Sequence, residues 1–523
     1  MDTTYEPRRS SPIRPPLVEG GREALLAGSR AGLASLTPLL ATATSSALAS
    51  RANGGPLPAG PTAQVLARTR AALGASALPL DGVGPEIALM RVARAVSQFG
   101  VDLSHPRAAA HLQPPPLAVA VVADVLASAS NASLDTYDSG PSAIAIERWL
   151  IDALAGLAGL GARADGVLTP GGSISNLLGL LLARDAVAFE RGIDVRRDGL
   201  CGLSEPVVLC SEFSHFSLHR ACAALGLGER AVLPIATDAR RRMQPSALER
   251  ALRELDPKRT VLAIVATAGT TDFGSIDPLP AIADIAGEHG IRLHVDAAYG
   301  FGALFSERLA ERLRGLERAH SITLDLHKLG WQPAAASVLL VADTAAFSAL
   351  QREVQYLNPS DDIDAGLDGL LGRTLQTTRR PDALKIAASL LALGRRGLGE
   401  LVDACHDLAR YVERRVSEEP QLELVSPAEL TTVVFRYRAR GAGRLANMED
   451  QINGALRRRL IETGTALIGR TAVSLDGPRS TPRVCLKLTL LNPTATRNDM
   501  DELLVAILRA GKECERHVTE HLA

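Results

Sequence analysis

The sequence predicts an α/β protein: a helical N-terminal layer, then a large, mainly parallel sheet covered by helices, then a small α+β C-terminal domain. Three observations predict it. Residues 1–100 carry helical periodicity and no strand-like run. Over residues 101–380, continuous apolar runs alternate with helical stretches, the pattern of a parallel sheet buried on both faces. Residues 381–523 mix long helical stretches with isolated strands.

The first ~20 residues, with Pro7, Pro12, Pro15 and Pro16, read as a flexible arm. Helical periodicity follows from Arg22 to about Ser50, from Thr62 to Gly74 and from Pro85 to Gly100, with a Gly/Pro break over Gly54 to Pro61. Strands are predicted at Pro206 to Cys210, Val261 to Ala266, Ile291 to Val295 and Ser321 to Leu326, with a return strand at Ala336 to Val341. Helices separate them, through Leu218 to Leu225 and from near Pro278. Beyond Pro381, strands at Thr431 to Tyr437 and Arg483 to Leu490 precede a last helix from Asn498 to about Gly511. Ligands of parallel sheets sit at the carboxyl ends of the strands, so the residues just past each strand are the candidates for chemistry.

Composition narrows the function classes. The chain has 523 residues with 57 basic and 58 acidic side chains, a net charge of −1. That balance gives no general attraction to nucleic acid or an anionic membrane, and neither is expected as a partner. Six cysteines, with no C-x-x-C pair and no short metal-ligand spacing, predict neither a disulfide framework nor a metal centre, and point to the cytoplasm. The N-terminus lacks a basic-then-apolar signal pattern, and no apolar run is read as approaching the ~18 residues of a membrane span. Only five basic residues are lysines (Lys258, Lys328, Lys385, Lys487 and Lys512), which makes each of them conspicuous.

Four segments carry candidate chemistry. Thr169-Pro170-Gly171-Gly172-Ser173 precedes the apolar helix Leu177 to Ala183. Small residues there expose backbone N–H groups and a positive helix end, which suits a phosphate. The alternative is a plain helix start with Ser173 as N-cap. No lysine follows the glycines, so this is not a nucleotide P-loop. Two G-x-G-x-x-A matches, at Gly159 and Gly226, each follow a helix and lack a dinucleotide-binding context.

His215, in Ser211-Glu212-Phe213-Ser214-His215-Phe216-Ser217, follows a strand and is either structural or positioned to stack on a flat ring. Small hydroxyl residues from Thr267 to Thr271 leave room for a ligand at the end of the next strand. Asp296 ends an apolar strand and must answer a cation, either a distant arginine or a ligand. Lys328, in Leu324-Asp325-Leu326-His327-Lys328, sits among Leu326, Leu329 and Trp331, and is either structural or an amine that this company desolvates and readies for a Schiff base. Together, a phosphate cradle, a stacking imidazole, a buried carboxylate and a nucleophilic amine are the parts that hold pyridoxal phosphate.

These motifs, with Leu371-Gly372-Arg373-Thr374-Leu375-Gln376-Thr377-Thr378-Arg379-Arg380 and Leu486-Lys487-Leu488-Thr489-Leu490-Leu491-Asn492-Pro493, resemble the group II pyridoxal-phosphate-dependent amino-acid decarboxylases. The two C-terminal stretches look most like the 2,4-diaminobutyrate branch. The resemblance runs from about His105 to the C-terminus.

It implies an aspartate-aminotransferase-like, fold-type I architecture with a seven-stranded sheet, and a homodimer with a shared active site in which residues 1–100 form a dimerisation layer. It implies that Lys328 holds the cofactor aldehyde, Asp296 faces the pyridine nitrogen and His215 stacks on the ring. Gly172 and Ser173 contact phosphate, His327 and Thr267 lie beside the cofactor, and Ala298 packs on its other face. Gly372 of a second subunit completes the phosphate site. His111 and Gln113 are placed near the substrate, and Tyr356, on a mobile loop, supplies the proton that replaces CO2.

The chain departs from the family at Arg107, where an aromatic residue is common, and at Tyr137, where a tryptophan is. The implied reaction converts an L-amino acid to a primary amine and CO2, with 2,4-diaminobutyrate or another diamino acid as substrate. A small neutral or aliphatic amino acid, or aminotransfer or oxidative deamination on the same scaffold, are the alternatives.

Overall fold

The structure, a computed structural model, describes residues 22–51, 54–74, 78–439, 446–475 and 480–520. The arm expected over the first ~20 residues lies outside them. The chain divides into two compact units after Asp102.

The first unit is helical. Its helices span Arg30–Ser50, Thr62–Leu73 and Pro85–Phe99. The Ser29 hydroxyl accepts the Gly32 N–H at 2.8 Å and caps the first, while Pro85 opens the third, where its missing N–H costs nothing. Leu48, Leu66 and Leu73 stay exposed on these helices.

The second unit holds two sheets. A two-residue strand, β1 (Ala108–Ala109), comes first. The large sheet then takes β2 (Asp165–Thr169), β3 (Pro206–Ser211), β4 (Val232–Ile235), β5 (Thr260–Thr267), β6 (Leu293–Asp296), β7 (Ser321–Asp325) and β8 (Ser337–Val341). Its order is β2-β8-β7-β6-β5-β3-β4, with only β8 running against the rest. Alternate residues along each strand feed opposite faces. Leu209, Ile264 and Val295 join one core with Leu150, Ile282 and Val402, whereas Val208, Val265 and Leu339 join another with Leu178, Leu181 and Leu218.

The helix Gly172–Glu190 is long and apolar enough to cross a membrane by length and composition, contrary to the sequence expectation. It is instead a core helix, more than half buried against β5, β7 and β8, because both the sheet and the neighbouring helices cover it.

The small sheet joins β9 (Leu422–Ser426), β10 (Thr432–Tyr437), β11 (Leu467–Val473) and β12 (Arg483–Thr489), with β1 added in parallel to β11. The helices Ala446–Glu462 and Arg497–Glu520 cover it through Ile452, Leu456, Met500 and Ile507. The long helical stretch Ala383–Glu418 is two helices, broken at Gly394 with φ +61°.

Tyr299 ties the sheets together. Its buried hydroxyl lies 2.7 Å and 2.9 Å from the Thr431 and Thr432 hydroxyls and accepts the Thr431 N–H at 3.1 Å. Tyr299→Phe would strand that buried N–H, and we expect the protein to lose about 2 kcal/mol of stability, the scale for one unsatisfied buried donor. Differential scanning fluorimetry checks it: an unchanged melting temperature refutes the role.

Candidate active site

The carboxyl ends of β2, β5, β6 and β7 converge on a cavity of about 270 Å³. Gly171, Gly172, Ser173, Asn176, His215, Thr267, Asp296, Ala298, His327 and Lys328 reach it, with Gly269, Thr271, Tyr299 and Asp325. Of the candidate residues from the sequence, Gly172, Ser173, His215, Thr267, Asp296, Ala298, His327 and Lys328 are therefore brought together.

At one wall the helix Gly172–Glu190 points its N-terminus into the cavity. Gly171 is the N-cap and no side chain caps the helix, so Ser173 is not the N-cap that the sequence allowed. A Cβ at Gly172 would stand 2.9 Å and 3.0 Å from the Asp325 carboxylate oxygens and 3.3 Å from the Ala298 methyl, so only glycine lets the chain pass here. Gly269, at φ +105°, is also confined to glycine, since a Cβ would meet the Gly300 nitrogen at 2.9 Å.

Lys328 is answered differently from the sequence expectation. Leu326, Leu329 and Trp331 turn into the core, and the lysine amine instead pairs with Asp325 at 2.8 Å. Asp325 is 5% exposed and also accepts the Ser337 hydroxyl at 2.5 Å. Burial opposes its ionisation, but the Lys328 and His327 charges outweigh it and hold the carboxyl below its usual range. The pairing has a simple cause. The strand-to-turn geometry puts residues 325 and 328 on one side, and a buried carboxylate captures the nearest amine.

Asp296 is 5% exposed. It accepts the Asn176 side-chain N–H at 2.8 Å and the Ala298 N–H at 3.1 Å. No lysine or arginine among the described residues pairs with it, so the distant arginine that the sequence allowed is not there. What remains is a buried carboxylate, served by neutral donors and facing a cavity, which is the arrangement that accepts a protonated ring nitrogen.

His215 lies 2.8 Å from the Ser217 hydroxyl, and burial lowers its basicity against the pull of Asp296. Burial likewise lowers His327, whose Nδ1 is buried with no hydrogen-bond partner. Thr267 is fixed by its N–H donating to Asp277 at 2.8 Å.

The residues present fit pyridoxal phosphate. An uncapped helix end suits the phosphate, Asp296 the ring nitrogen, and Lys328 the aldehyde.

Four candidates do not border the cavity. His111 and Gln113 are exposed. Partial desolvation of its ring and the nearby Lys487 and Arg457 lower the basicity of His111, and Lys487 in turn donates to the carbonyl of Thr271, a cavity residue, at 3.2 Å. Tyr356 is 84% exposed. Gly372 packs near Gln351. The sequence reading gave no role to Asp325, Asn176 or Tyr299. Asp325 was signalled by its i−3 spacing from Lys328, and Asn176 by lying one helical turn beyond Gly172.

A family profile described as "Pyridoxal-dependent decarboxylase conserved domain" matches residues 85–438. The L-2,4-diaminobutyrate decarboxylase of Rhizobium meliloti (strain 1021) is 42% identical over 84% of this chain and 85% of that protein. The protein of that name from Acinetobacter baumannii is 34% identical over 82% and 84%. Among solved structures, the glutamate decarboxylase domain of diaminobutyrate-pyruvate transaminase and L-2,4-diaminobutyrate decarboxylase from Vibrio parahaemolyticus aligns with a TM-score of 0.80 and 32% identity, over 93% of this chain and 97% of that one. Mouse CSAD aligns with a TM-score of 0.79 and 28% identity, over 91% and 99%.

Proposed function

The chain belongs to the pyridoxal-dependent decarboxylase family and is a pyridoxal-phosphate-dependent amino-acid decarboxylase; on that premise we propose that its substrate is L-2,4-diaminobutyrate or a closely similar diamino acid. The observation that carries the substrate is the 42% identity to the Rhizobium enzyme across most of both chains. Among the described residues that line the cavity, Lys328 is the one lysine and none is an arginine.

Bound pyridoxal phosphate supplies an aldehyde that captures the substrate amine and an electron-withdrawing ring that takes up the pair released with CO2. The chain's own residues do the rest. Lys328 would hold the aldehyde, and Asp325 would take the lysine charge when the amine is free. Asp296 stabilises a proton on the ring nitrogen. The N–H groups at Gly172 and Ser173 would bind the phosphate, His215 and Ala298 would pack on the ring, and Thr267 and His327 would lie beside it. The net reaction replaces the carboxylate by a proton: R–CH(NH3+)–COO− and H+ give R–CH2–NH3+ and CO2. Tyr356 delivers that proton from its exposed segment when the segment closes over a cavity.

The working unit is a homodimer. Exposed Val119, Val122 and Leu126 on the helix Ala118–Ser130, with Trp149 and Leu391, supply apolar surface for a second copy. Tyr356, Gly372, His111 and Gln113 lie off the cavity of their own chain, which suits a site completed across that interface. The cytoplasm fits the six unpaired cysteines.

Incubating the holoenzyme with a panel of amino acids and analysing products by mass spectrometry tests the reading. We expect 1,3-diaminopropane and CO2 from 2,4-diaminobutyrate, with acidic amino acids turned over at least ~100-fold less efficiently, a discrimination of about 3 kcal/mol. Preferred turnover of an acidic or small neutral amino acid removes the substrate assignment. Light scattering that returns a monomer at working concentration removes the dimer.

A further inference from the structure

Two residues before Asp296 in β6 stands His294, 1% exposed and outside the cavity that holds the cofactor residues. Strand periodicity points positions 294 and 296 to the same face, and helical spacing puts Asn176 and Gly179 on the facing side of Gly172–Glu190. The His294 ring fits because residue 179 has no side chain: a Cβ there would lie 2.7 Å from the imidazole Cε1. Asn176 then bridges the two β6 side chains, with its Oδ1 3.0 Å from His294 Nε2 and its Nδ2 2.8 Å from the Asp296 carboxylate.

The direction of every bond in this chain follows from one fixed point. A carboxylate only accepts, so the Asn176 atom facing Asp296 is the NH2 group. Asn176 Oδ1 therefore faces His294 and accepts, and His294 carries its hydrogen on Nε2. The other ring nitrogen, Nδ1, accepts from the Ser321 hydroxyl at 2.7 Å. Thr323 makes a longer contact to Nε2 at 3.4 Å. The second Asn176 N–H runs to Ser217 Oγ at 3.0 Å, and that hydroxyl donates to His215 Nδ1 at 2.8 Å. The Ser217 N–H also reaches His215 Nδ1, at 3.3 Å, so His215 keeps its hydrogen on Nε2. Burial pushes His294 down to about 4, which keeps it neutral and leaves one hydrogen to place.

We propose that His294 is a positioning residue for the cofactor: by orienting Asn176 it sets the hydrogen bond that holds Asp296 for the ring nitrogen. Without the imidazole donor, the Asn176 amide loses the group that distinguishes its two ends. It could then turn its oxygen toward Asp296, replacing an attraction with a repulsion.

The test measures binding, without substrate, so its failure is separate from failure of the diamino-acid reading. Dissociation constants of apoenzyme are measured for pyridoxal phosphate and for its deaza analogue, in which the ring nitrogen is C–H. We expect His294→Leu to weaken pyridoxal phosphate about 10-fold, the scale of one charge-assisted hydrogen bond, and the analogue less than about 2-fold. His294→Gln, whose amide N–H can reach Asn176 Oδ1, is expected to restore the ratio. Equal loss for both ligands, or loss for neither, overturns the proposal. If the leucine variant does not fold, Ser321→Ala removes only the donor to Nδ1. It should shift the same ratio in the same direction by about 3-fold, and an unchanged ratio there overturns the proposal too.

Discussion

Replacing Lys328 by arginine is expected to lower kcat/KM for decarboxylation by at least ~10⁴-fold while the protein remains folded, because a covalent step is lost and its charge is not. Arginine keeps a cation against Asp325, which is 5% exposed and would otherwise be buried without its 2.8 Å partner. That ion pair is the reason alanine is the poorer choice. Stranding a buried carboxylate costs about 3–5 kcal/mol, and loss of activity would then be confused with loss of fold. The guanidinium stays protonated and cannot attack an aldehyde. Borohydride reduction and peptide mapping of the wild-type holoenzyme should place the cofactor on Lys328, and the arginine variant should take no label. A label on Lys385 or Lys258, or a variant that still turns over at a tenth of the wild-type rate, would remove Lys328 from its role.

The second large effect is expected at Asp296. Asp296→Asn keeps a side chain of the same shape but removes the anion that stabilises a proton on the ring nitrogen. We expect kcat to fall about 10²–10³-fold, the usual scale when one preorganised electrostatic group is removed. Asp296→Ala should do at least the same and also lower the melting temperature, since it leaves the Asn176 and Ala298 donors unanswered at 2.8 Å and 3.1 Å. The pair separates chemistry from structure. An asparagine variant with wild-type kcat would show that the charge at position 296 does not matter, whatever the alanine variant does.

Much of the architecture was legible because hydrophobic periodicity is local. Five large-sheet strands, β3, β5, β6, β7 and β8, fall within two residues of their predicted limits. The strands that escaped notice are short or interrupted. In β2, Gly166 breaks the apolar run, and β4 is four residues long with Pro234 inside it. In the small sheet, Glu423 in β9 and Arg470 in β11 give alternation with polar positions, and the continuous apolar runs used to find the larger strands are absent. The helix Gly172–Glu190 read as seven residues from Leu177 to Ala183 because Arg184 and Asp185 interrupt the apolar pattern, although they pair with one another at 2.8 Å and the helix continues.

The sequence by itself determined the order of the working parts. An imidazole, a carboxylate and an amine, each just past a predicted strand, follow from residue type and strand position, and a helix start follows from its small residues. Tertiary structure alone decided who answers whom. Asp296 finds Asn176, 120 positions away, and no arginine. His294 finds Asn176 across 118 positions because Gly179 makes room. Periodicity sets which face a side chain takes, and that information lies within a few residues. The partner of a buried charge depends on which elements pack together, and that depends on the whole chain.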